Sequence, residues 1–229
     1  MNGSPPPLCL DIFSDPICPW CYIGLKRLDE ALADWQGAVE TTWRCFMLNP
    51  DMPPEGMDRR LYLERKFGGP EGADRVYKAI ETAATQAGLS VDFTRIQRTP
   101  STIKAHQALR AAQDYGAGDR FIRALFQAYF EQGQDIGQTD VLASLWAQAD
   151  LDIHTLESVF DGQRHLDTLM AEQNEARARG ISGVPFFVVG GTYALSGAQN
   201  KSVFHQVFRL IQNDTAQNNP VQNKEKETA

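Results

Sequence analysis

Two cysteines separated by two residues, Cys18 and Cys21, stand between an apolar segment and a helical pattern. The apolar segment, residues 8–13, is short and predicts a buried strand. Residues 19–35 carry apolar side chains at helical spacing, which predicts a helix with one face toward a core. Pro19 fits the first turn of that helix, because proline lacks an N–H and no hydrogen bond is lost there. The chain must therefore place a C-x-x-C pair at the junction of a strand and a helix.

The order strand, C-x-x-C, helix is typical of a thioredoxin-type redox site. Cys18 would lie at the helix N-terminus, where unpaired N–H groups and the helix dipole stabilise a thiolate nucleophile. Cys21, one turn further, would lie deeper and resolve the mixed disulfide that Cys18 forms. The alternative is a chance pair or half of a zinc site, but structural zinc sites use four Cys or His ligands. The sequence has no second C-x-x-C and no H-x₃₋₅-H, so we expect no metal.

The length and charge of the chain narrow the classes of protein to consider. At 229 residues it is long for a minimal thioredoxin fold, so an insertion or a second packed domain is expected. A net charge of −7 argues against a nucleic-acid or anionic-membrane partner. No apolar run approaches the roughly 20 residues of a transmembrane helix. Residues 1–7 lack the features of a signal peptide, so we expect a cytoplasmic protein whose four cysteines are catalytic or buried thiols.

The pattern of apolar residues changes twice along the chain. Alternating β-formers at 39–46 predict a second strand, whereas 57–180 shows helical spacing almost throughout. Strand patterns return at 181–195, where Gly190 and Gly191 indicate a tight turn, and an amphipathic helix follows. We therefore predict an α/β thioredoxin fold, ordered β-α-β and then β-β-α. A large all-helical insertion would follow the second strand.

These patterns also predict the domain boundaries. A discontinuous thioredoxin-fold domain would comprise 8–50 and 181–213, and a helical insertion domain would comprise 57–180. The ends of the chain are polar and proline-rich or charged, so 1–7 and 214–229 are predicted to be flexible tails.

Residues 15–24, which read D-P-I-C-P-W-C-Y-I-G, resemble the active site of the DsbA-like thioredoxin family, specifically its cytoplasmic FrnE-like subgroup. The resemblance extends over most of residues 8–211. It is also carried by 43–50, Ala105-His106, 124–136, 183–188 and 196–199. The C-x-x-C together with the Gly-Val-Pro sequence at 183–185 is the specific part of this pattern. The resemblance implies a protein-disulfide oxidoreductase or isomerase.

The resemblance also implies a substrate-binding surface. In this family a loop containing a cis proline faces the two cysteines, and Val184-Pro185 matches that loop. The backbone of Val184 would then pair with an extended substrate as an added strand. Trp20 would contribute to the same surface, with Tyr22 and Phe46 as further candidates for an apolar rim. For Phe46, packing in the core is the favoured alternative.

The remaining polar and sulfur-containing candidates have less specific interpretations. His106 matches a family position, but a histidine on an apolar helix face is more often a hydrogen-bonded core residue, so we assign it no catalytic role. Asp15 either opposes a thiolate at Cys18, if its side chain points inward, or forms a turn or cap. Cys9 and Cys45 would lie at opposite ends of neighbouring parallel strands, beyond the ~7 Å Cα separation of a disulfide. Both are predicted to be small buried apolar residues.

Three functions stay open at this point. The first is a thiol–disulfide oxidoreductase that acts on polypeptide or small-molecule disulfides through a redox-active Cys18–Cys21 disulfide, with glutathione as a candidate co-substrate. The second is a glutathione-dependent isomerase or transferase, because the hydroxychromene-carboxylate isomerases and kappa-class transferases resemble this chain but carry serine in place of Cys18. The third is a module that binds polypeptides without turnover. Redox exchange is the only one that needs Cys21. The sequence leaves the choice between monomer and homodimer open.

Overall fold

The computed structural model describes residues 7–161 and 163–217. The strands are β1 (Leu8–Ser14), β2 (Val39–Cys45), β3 (Met57–Asp58), β4 (Arg98–Thr99), β5 (Phe186–Val189) and β6 (Tyr193–Ser196). The helices are α1 (Pro19–Leu32), α2 (Arg59–Phe67), α3 (Pro70–Gln86), α4 (Ile103–Asp114), α5 (Gly118–Phe126), α6 (Thr139–Gln148), α7 (Ile153–Asp161), α8 (Gln163–Ala178) and α9 (Lys201–Gln217). A 3₁₀ turn covers Phe93–Arg95, and a π-helical turn, Gln127–Glu131, follows α5. Within the described residues, no helix is both long and apolar enough to cross a membrane.

A mixed sheet has the strand order β2-β1-β5-β6. β1 and β2 are parallel, with Ser14 opposite Cys45, whereas β5 is antiparallel to both β1 and β6. Gly190 and Gly191 connect β5 to β6 with φ angles of 61° and 69°, which side-chain-bearing residues rarely adopt. With α1 between β1 and β2, and α9 after β6, the order is the predicted β-α-β followed by β-β-α.

The main hydrophobic core lies between the sheet and its helices. Alternation along β1 places Leu8, Leu10 and Ile12 in this core. Four large side chains of α1 and α9 join them: Leu25, Leu28, Phe204 and Phe208. Burial of apolar surface is the main force that holds α1 against the sheet, and it therefore determines where the C-x-x-C lies.

The helical insertion packs around α5 and the π-helical turn. Residues 120–132 carry two adjacent apolar stripes at helical spacing, and both are fully buried. Their members are Phe121, Ile122, Leu125, Phe126, Tyr129 and Phe130. The same hydrophobic cluster contains side chains of the sheet, of α1 and of the insertion. The insertion is thus packed directly on the sheet unit, and the division into separate domains remains a prediction.

β2 is an edge strand whose outer side is covered by side chains instead of another strand. Three side chains of α4 and α8 bond to its backbone and its continuation: Gln113 at Trp43, Glu172 at Cys45 and Gln173 at Met47. The amide of Gln113 accepts the Trp43 N–H at 2.7 Å and donates to the Trp43 carbonyl at 3.1 Å. Such pairing protects an edge from association with other strands and attaches the insertion to β2.

Two predicted boundaries in the first half of the chain are wrong. α1 ends at Leu32 instead of residue 35, because Asp34 and Trp35 donate to carbonyls three residues earlier and tighten the chain into a turn. Residues 57–58 and 98–99 lie in the region 57–180, whose pattern predicts helix almost throughout, but they form the antiparallel ribbon β3–β4. Pairing between segments so far apart in the chain leaves no local pattern in the sequence.

Further corrections concern α9 and Cys9. α9 continues to Gln217, past the predicted end at 213, whereas the predicted tails at 1–6 and 218–229 lie outside the described residues. Cys45 is buried as predicted, but Cys9 is exposed, because it alternates with the core-facing residues of β1.

Candidate active site

Cys18 is the N-cap residue of α1, with φ −90° and ψ 112°. Its N–H donates to the Asp15 carbonyl at 2.9 Å, and its own carbonyl accepts the N–H groups of Cys21 and Tyr22. Pro19 occupies the first turn, which contains no acidic side chain. The amino end of α1 therefore offers its dipole to the Cys18 sulfur with no negative charge in the first turn to offset it.

The Cys18 thiol donates to the Val184 carbonyl, with an Sγ to O distance of 3.5 Å. The cysteine pair and the Gly-Val-Pro loop are thus brought together. Cys18 is 4% exposed and Cys21 is 2% exposed, so protein covers most of both residues. All four cysteines lie in the described part of the chain and are free thiols. A substrate that reaches Cys18 must therefore approach beside the Val184 backbone, which already bonds its sulfur.

Cys21 lies one turn into α1 in a buried position. Burial raises its pKa well above the ordinary value, and the hydrogen bond with Cys18 and the charge of Cys18 raise it further. The Ser14 side chain and the Asp15 backbone act in the opposite direction. Cys21 is consequently a protonated thiol at neutral pH, which supports the division of roles between an attacking Cys18 and a resolving Cys21.

The Val184-Pro185 peptide bond is cis, as the resemblance implied. Pro185 is buried against α1 at Gly24, where an added Cβ would lie 2.9 Å from Pro185 Cγ. The Gly197 N–H donates to the Pro185 carbonyl at 2.8 Å and ties the loop to the end of β6. Glycine at position 24 therefore permits the close approach that brings Val184 to Cys18.

The candidate rim residues have different surroundings. Trp20 is half-buried and packs against an apolar cluster that contains Ile80, Ala83 and Ala84 of α3 and Ala87 just beyond its end. Phe46 is buried in a cluster with Phe13 and Ile181, so core packing, the favoured alternative, is correct for Phe46. Substrate binding by Trp20 stays a prediction, since part of its ring already packs on the insertion.

Tyr22 connects α1 to the π-helical turn. Its hydroxyl donates to Glu131 Oε1 at 2.7 Å, and its ring stacks on Phe126 with centroids 5.1 Å apart. Burial, followed by the hydrogen bond to Glu131, raises the pKa of Tyr22 above the ordinary value, so the hydroxyl keeps its proton. Tyr22 is therefore a bridge between the cysteine-bearing helix and the insertion, rather than part of an open rim.

Asp15 lies beneath the loop that carries Cys18, and its side chain points inward. It is 0% exposed, and its two carboxylate oxygens accept the Leu48 N–H at 2.8 Å and the Ile17 N–H at 3.3 Å. The His106 side chain of α4 faces Asp15, with Nε2 3.8 Å from Asp15 Oδ1. His106 is a core residue as favoured, but within the described residues its Nε2 has no hydrogen-bond partner.

A second buried charge was not anticipated from the sequence. Arg59, at the start of α2, is 8% exposed, and its guanidinium donates to Thr99 Oγ1 at 3.0 Å, to the Tyr129 hydroxyl at 3.4 Å and to the Tyr77 hydroxyl. No carboxylate within the described residues forms an ion pair with it. The charge of Cys18 is among the causes that raise the pKa of Tyr77, after burial, so this cluster is within electrostatic range of the cysteines. Arg59 lies in a segment of mixed charge that predicts a solvent-exposed helix, so no pattern in the sequence indicated that this side chain is buried.

A groove of about 420 Å³ opens where the chain leaves β2. Its lining includes Leu48, Met52, Met57, Tyr62, Arg65 and Lys66. It begins at Leu48, whose N–H bonds Asp15, so it lies on the side of the sheet from which the cysteine loop emerges. Among the residues that the structure describes, no group of three His, Cys, Asp or Glu side chains is placed to hold a metal ion.

Comparison with known proteins identifies relatives of this fold and site. YwbO of Bacillus subtilis is 27% identical over 200 residues, which are 87% of this chain and 94% of that protein. The crystal structure of a probable DsbA oxidoreductase of Streptomyces coelicolor superposes with a TM-score of 0.79 and 30% identity, covering 87% of this chain and 88% of that one. DsbM of Pseudomonas aeruginosa, a cytosolic disulfide reductase solved with glutathione, has a TM-score of 0.64 and 16% identity over 88% of this chain and 99% of its own, which shows a shared fold.

The family comparison covers nearly the whole of the described chain. The DSBA-like thioredoxin domain matches residues 9–209, which include both cysteines, the insertion and the Val184-Pro185 loop. The expected FrnE-like subgroup is narrower than this match and stays a prediction. The chain belongs to the DSBA-like thioredoxin domain family, and its predicted thioredoxin fold is confirmed.

Proposed function

We propose that this protein is a thiol–disulfide oxidoreductase of polypeptide or small-molecule disulfides. The observation that carries the proposal is the position of Cys18, at the amino end of α1 and 3.5 Å from the Val184 carbonyl, with Cys21 buried one turn below. Membership of an oxidoreductase family supports the general class of activity. The specific action on protein disulfides is part of the proposal.

In the reducing direction, the Cys18 thiolate attacks one sulfur of the substrate disulfide, and the other sulfur leaves as a thiolate that takes up a proton. Cys21 then loses its proton and attacks Cys18 in the mixed disulfide, which forms the Cys18–Cys21 disulfide and releases the second substrate thiol. Two thiols, such as two molecules of glutathione, reduce the Cys18–Cys21 disulfide to the dithiol and are themselves oxidised to one disulfide. In the oxidising direction the same steps run in reverse. The protein needs no other cofactor for this chemistry.

The proposed substrate-binding residues are Val184, Pro185 and Trp20. The Val184 backbone adjoins the Cys18 sulfur, so an extended segment that presents a disulfide there can bond to it as an added strand. Trp20, at the second position of α1, would add apolar contact beside the disulfide. The net charge of −7 supports partners other than nucleic acid or an anionic membrane. The cytosolic disulfide reductase DsbM, which shares the fold, supports a cytoplasmic location for this activity.

The glutathione-dependent isomerase or transferase is the alternative that shares this fold. Such an enzyme needs a helix N-terminus to activate a bound glutathione thiol, but it has no use for a second cysteine. The buried Cys21, hydrogen-bonded to Cys18, therefore favours redox exchange. A module that binds polypeptides without turnover would not need Cys21 either, so this residue also favours disulfide exchange over that third function.

Trapping of mixed disulfides tests the proposal. The Cys21→Ser variant should accumulate a covalent adduct with a peptide disulfide or with glutathione disulfide, because the resolving thiol is absent. Cys18→Ser should accumulate none, and Cys9→Ser, which removes an exposed thiol on β1, should exchange disulfides like the unmodified protein. Adducts are counted by intact-mass spectrometry. Full exchange activity in both Cys18→Ser and Cys21→Ser would exclude this pair as the reactive centre.

A further inference from the structure

Three buried groups meet where the sheet unit contacts the insertion, directly beneath the cysteine loop. Asp15 follows β1 and is 0% exposed, Cys45 ends β2, and His106 lies on α4 and is 2% exposed. His106 Nε2 is 3.8 Å from Asp15 Oδ1 and has no hydrogen-bond partner within the described residues. A buried carboxylate and a buried imidazole at this distance form an ion pair whenever the imidazole is protonated.

Asp15 is part of the framework that holds Cys18. Its carbonyl accepts the Cys18 N–H at 2.9 Å, and its carboxylate accepts the Ile17 N–H at 3.3 Å and the Leu48 N–H at 2.8 Å. The carboxylate thus bonds the residue immediately before Cys18. A negative charge so placed, and shielded from water, disfavours a second negative charge on the Cys18 sulfur.

The other titratable groups near His106 come from several elements. Cys45 of β2 and Asp15 interact with His106 directly, and Glu172 of α8 interacts with Cys45. Glu172 is already bonded to the Cys45 N–H at 2.8 Å and paired with Arg44 at 3.4 Å. Burial raises the pKa of Cys45, and the neighbouring His106 acts in the opposite direction. Burial lowers the pKa of His106, but Cys45 and Asp15 outweigh it, and the pKa is raised to about 10.

We propose that His106 is a positioning residue for the redox reaction, whose imidazolium neutralises Asp15 so that the buried carboxylate does not oppose a thiolate on Cys18. This inference rests on the proposed function of Cys18 as the attacking thiol. His106 touches neither the sulfur nor a substrate, and it acts through the charge of Asp15. The side chain comes from the insertion, which therefore contributes to the electrostatics of the thioredoxin-type site.

The charge of His106 can be measured without any substitution. In the reduced protein labelled with ¹³C-histidine, the His106 ring should show the NMR shifts of an imidazolium at pH 7.5, above the usual titration range of histidine. A neutral ring at that pH overturns the proposal. This measurement requires no variant to fold.

The second test compares the rate of Cys18 alkylation by iodoacetamide against pH in a Cys9→Ser background. We expect His106→Gln to raise the midpoint of the profile by about one pH unit, because Asp15 loses its counter-charge. The double variant Asp15→Asn with His106→Gln should return the midpoint close to that of the unmodified protein, since both charges are then gone. His205→Gln is the matched control, because His205 Nε2 pairs with Asp34 at 3.4 Å, beyond the C-terminal end of α1.

The same variants give a redox readout. Since a less stable thiolate destabilises the dithiol, the equilibrium constant for reduction of the Cys18–Cys21 disulfide by glutathione should fall by up to about tenfold in His106→Gln and recover in the double variant. An unchanged alkylation midpoint in His106→Gln, or a shift that Asp15→Asn does not reverse, overturns the proposal. Alkylation needs no substrate disulfide, so its outcome is separate from a failure of the exchange activity itself.

Discussion

The Cys18 thiol donates to the Val184 carbonyl at 3.5 Å, although 166 residues separate the two in the chain. This contact depends on how closely the Val184-Pro185 loop approaches α1. Gly24 permits the approach, because an added Cβ would lie 2.9 Å from Pro185 Cγ and 3.2 Å from Phe187 Cζ. The geometry of the redox centre is therefore set by a glycine on a face of α1 that carries no chemistry.

Gly24→Ala should weaken both stability and exchange. The methyl group overlaps Pro185, so we expect the free energy of unfolding to fall by about 1–3 kcal/mol and disulfide exchange with a peptide to slow. Gly183→Ala is the matched control, because its Cβ would meet no atom within 4 Å. The control should lie within about 0.5 kcal/mol of the unmodified protein in urea unfolding. Equal stability and equal exchange rates in both variants would contradict this account of the loop.

Thiol reactivity and solvent exposure predict that different cysteines are alkylated first. Cys9 is exposed and Cys18 is largely covered, so accessibility alone favours labelling of Cys9. Position favours Cys18, because it lies at the amino end of α1, where the helix dipole and free N–H groups stabilise an attacking thiolate. We expect peptide mass spectrometry to find Cys18 labelled first near pH 6. The extent of Cys9 labelling should approach that of Cys18 only as the pH rises. First labelling of Cys9 or Cys45 at acidic pH would contradict the assignment of Cys18 as the nucleophile.

The reduction potential should lie between the extremes known for this fold. Thioredoxin lies at about −270 mV and DsbA at about −120 mV, and a strong oxidant is one whose reduced form is stabilised. Here the helix terminus stabilises Cys18, but the intervening residues Pro19 and Trp20 supply no charge. We expect a value on the order of −200 mV by equilibration with glutathione buffers. Trp20→His should make it less negative, and a value as high as that of DsbA in the unmodified protein would reveal a further cation acting on Cys18.

The stability of the His106→Gln variant should depend on pH. The pKa of His106 is about 10 in the folded protein and 6.5 ordinarily, so its pairing stabilises the fold fully below about pH 6.5 and is lost as the pH rises through about 10. Relative to the unmodified protein, the variant should lose about 3–5 kcal/mol at pH 6 and progressively less toward pH 10. Urea unfolding at three pH values measures this difference. A deficit that stays constant with pH would indicate lost packing instead of a lost charge.

Local patterns in the sequence determined the elements and the reactive pair. Alternation in β1, the apolar stripes of α5 and Pro19 at the start of α1 are consequences of spacing between near neighbours, so each could be predicted. The position of Cys18 at the amino end of a helix follows from the same short-range order. The prediction that the Val184-Pro185 loop faces the amino end of α1 came from the family resemblance.

Tertiary structure alone decided which charged groups lie around the site and which side chains cover the edge strand β2. Asp15 meets His106 only because α4 of the insertion packs against the sheet. Arg59 meets Tyr129 only because α2 and the π-helical turn come together within the insertion. The Gln113 bonds to Trp43 likewise join residues that no periodic pattern relates. A buried polar group is satisfied by whichever partner the packed chain brings within reach, so neither its partner nor its charge state can be predicted from its own neighbours in sequence.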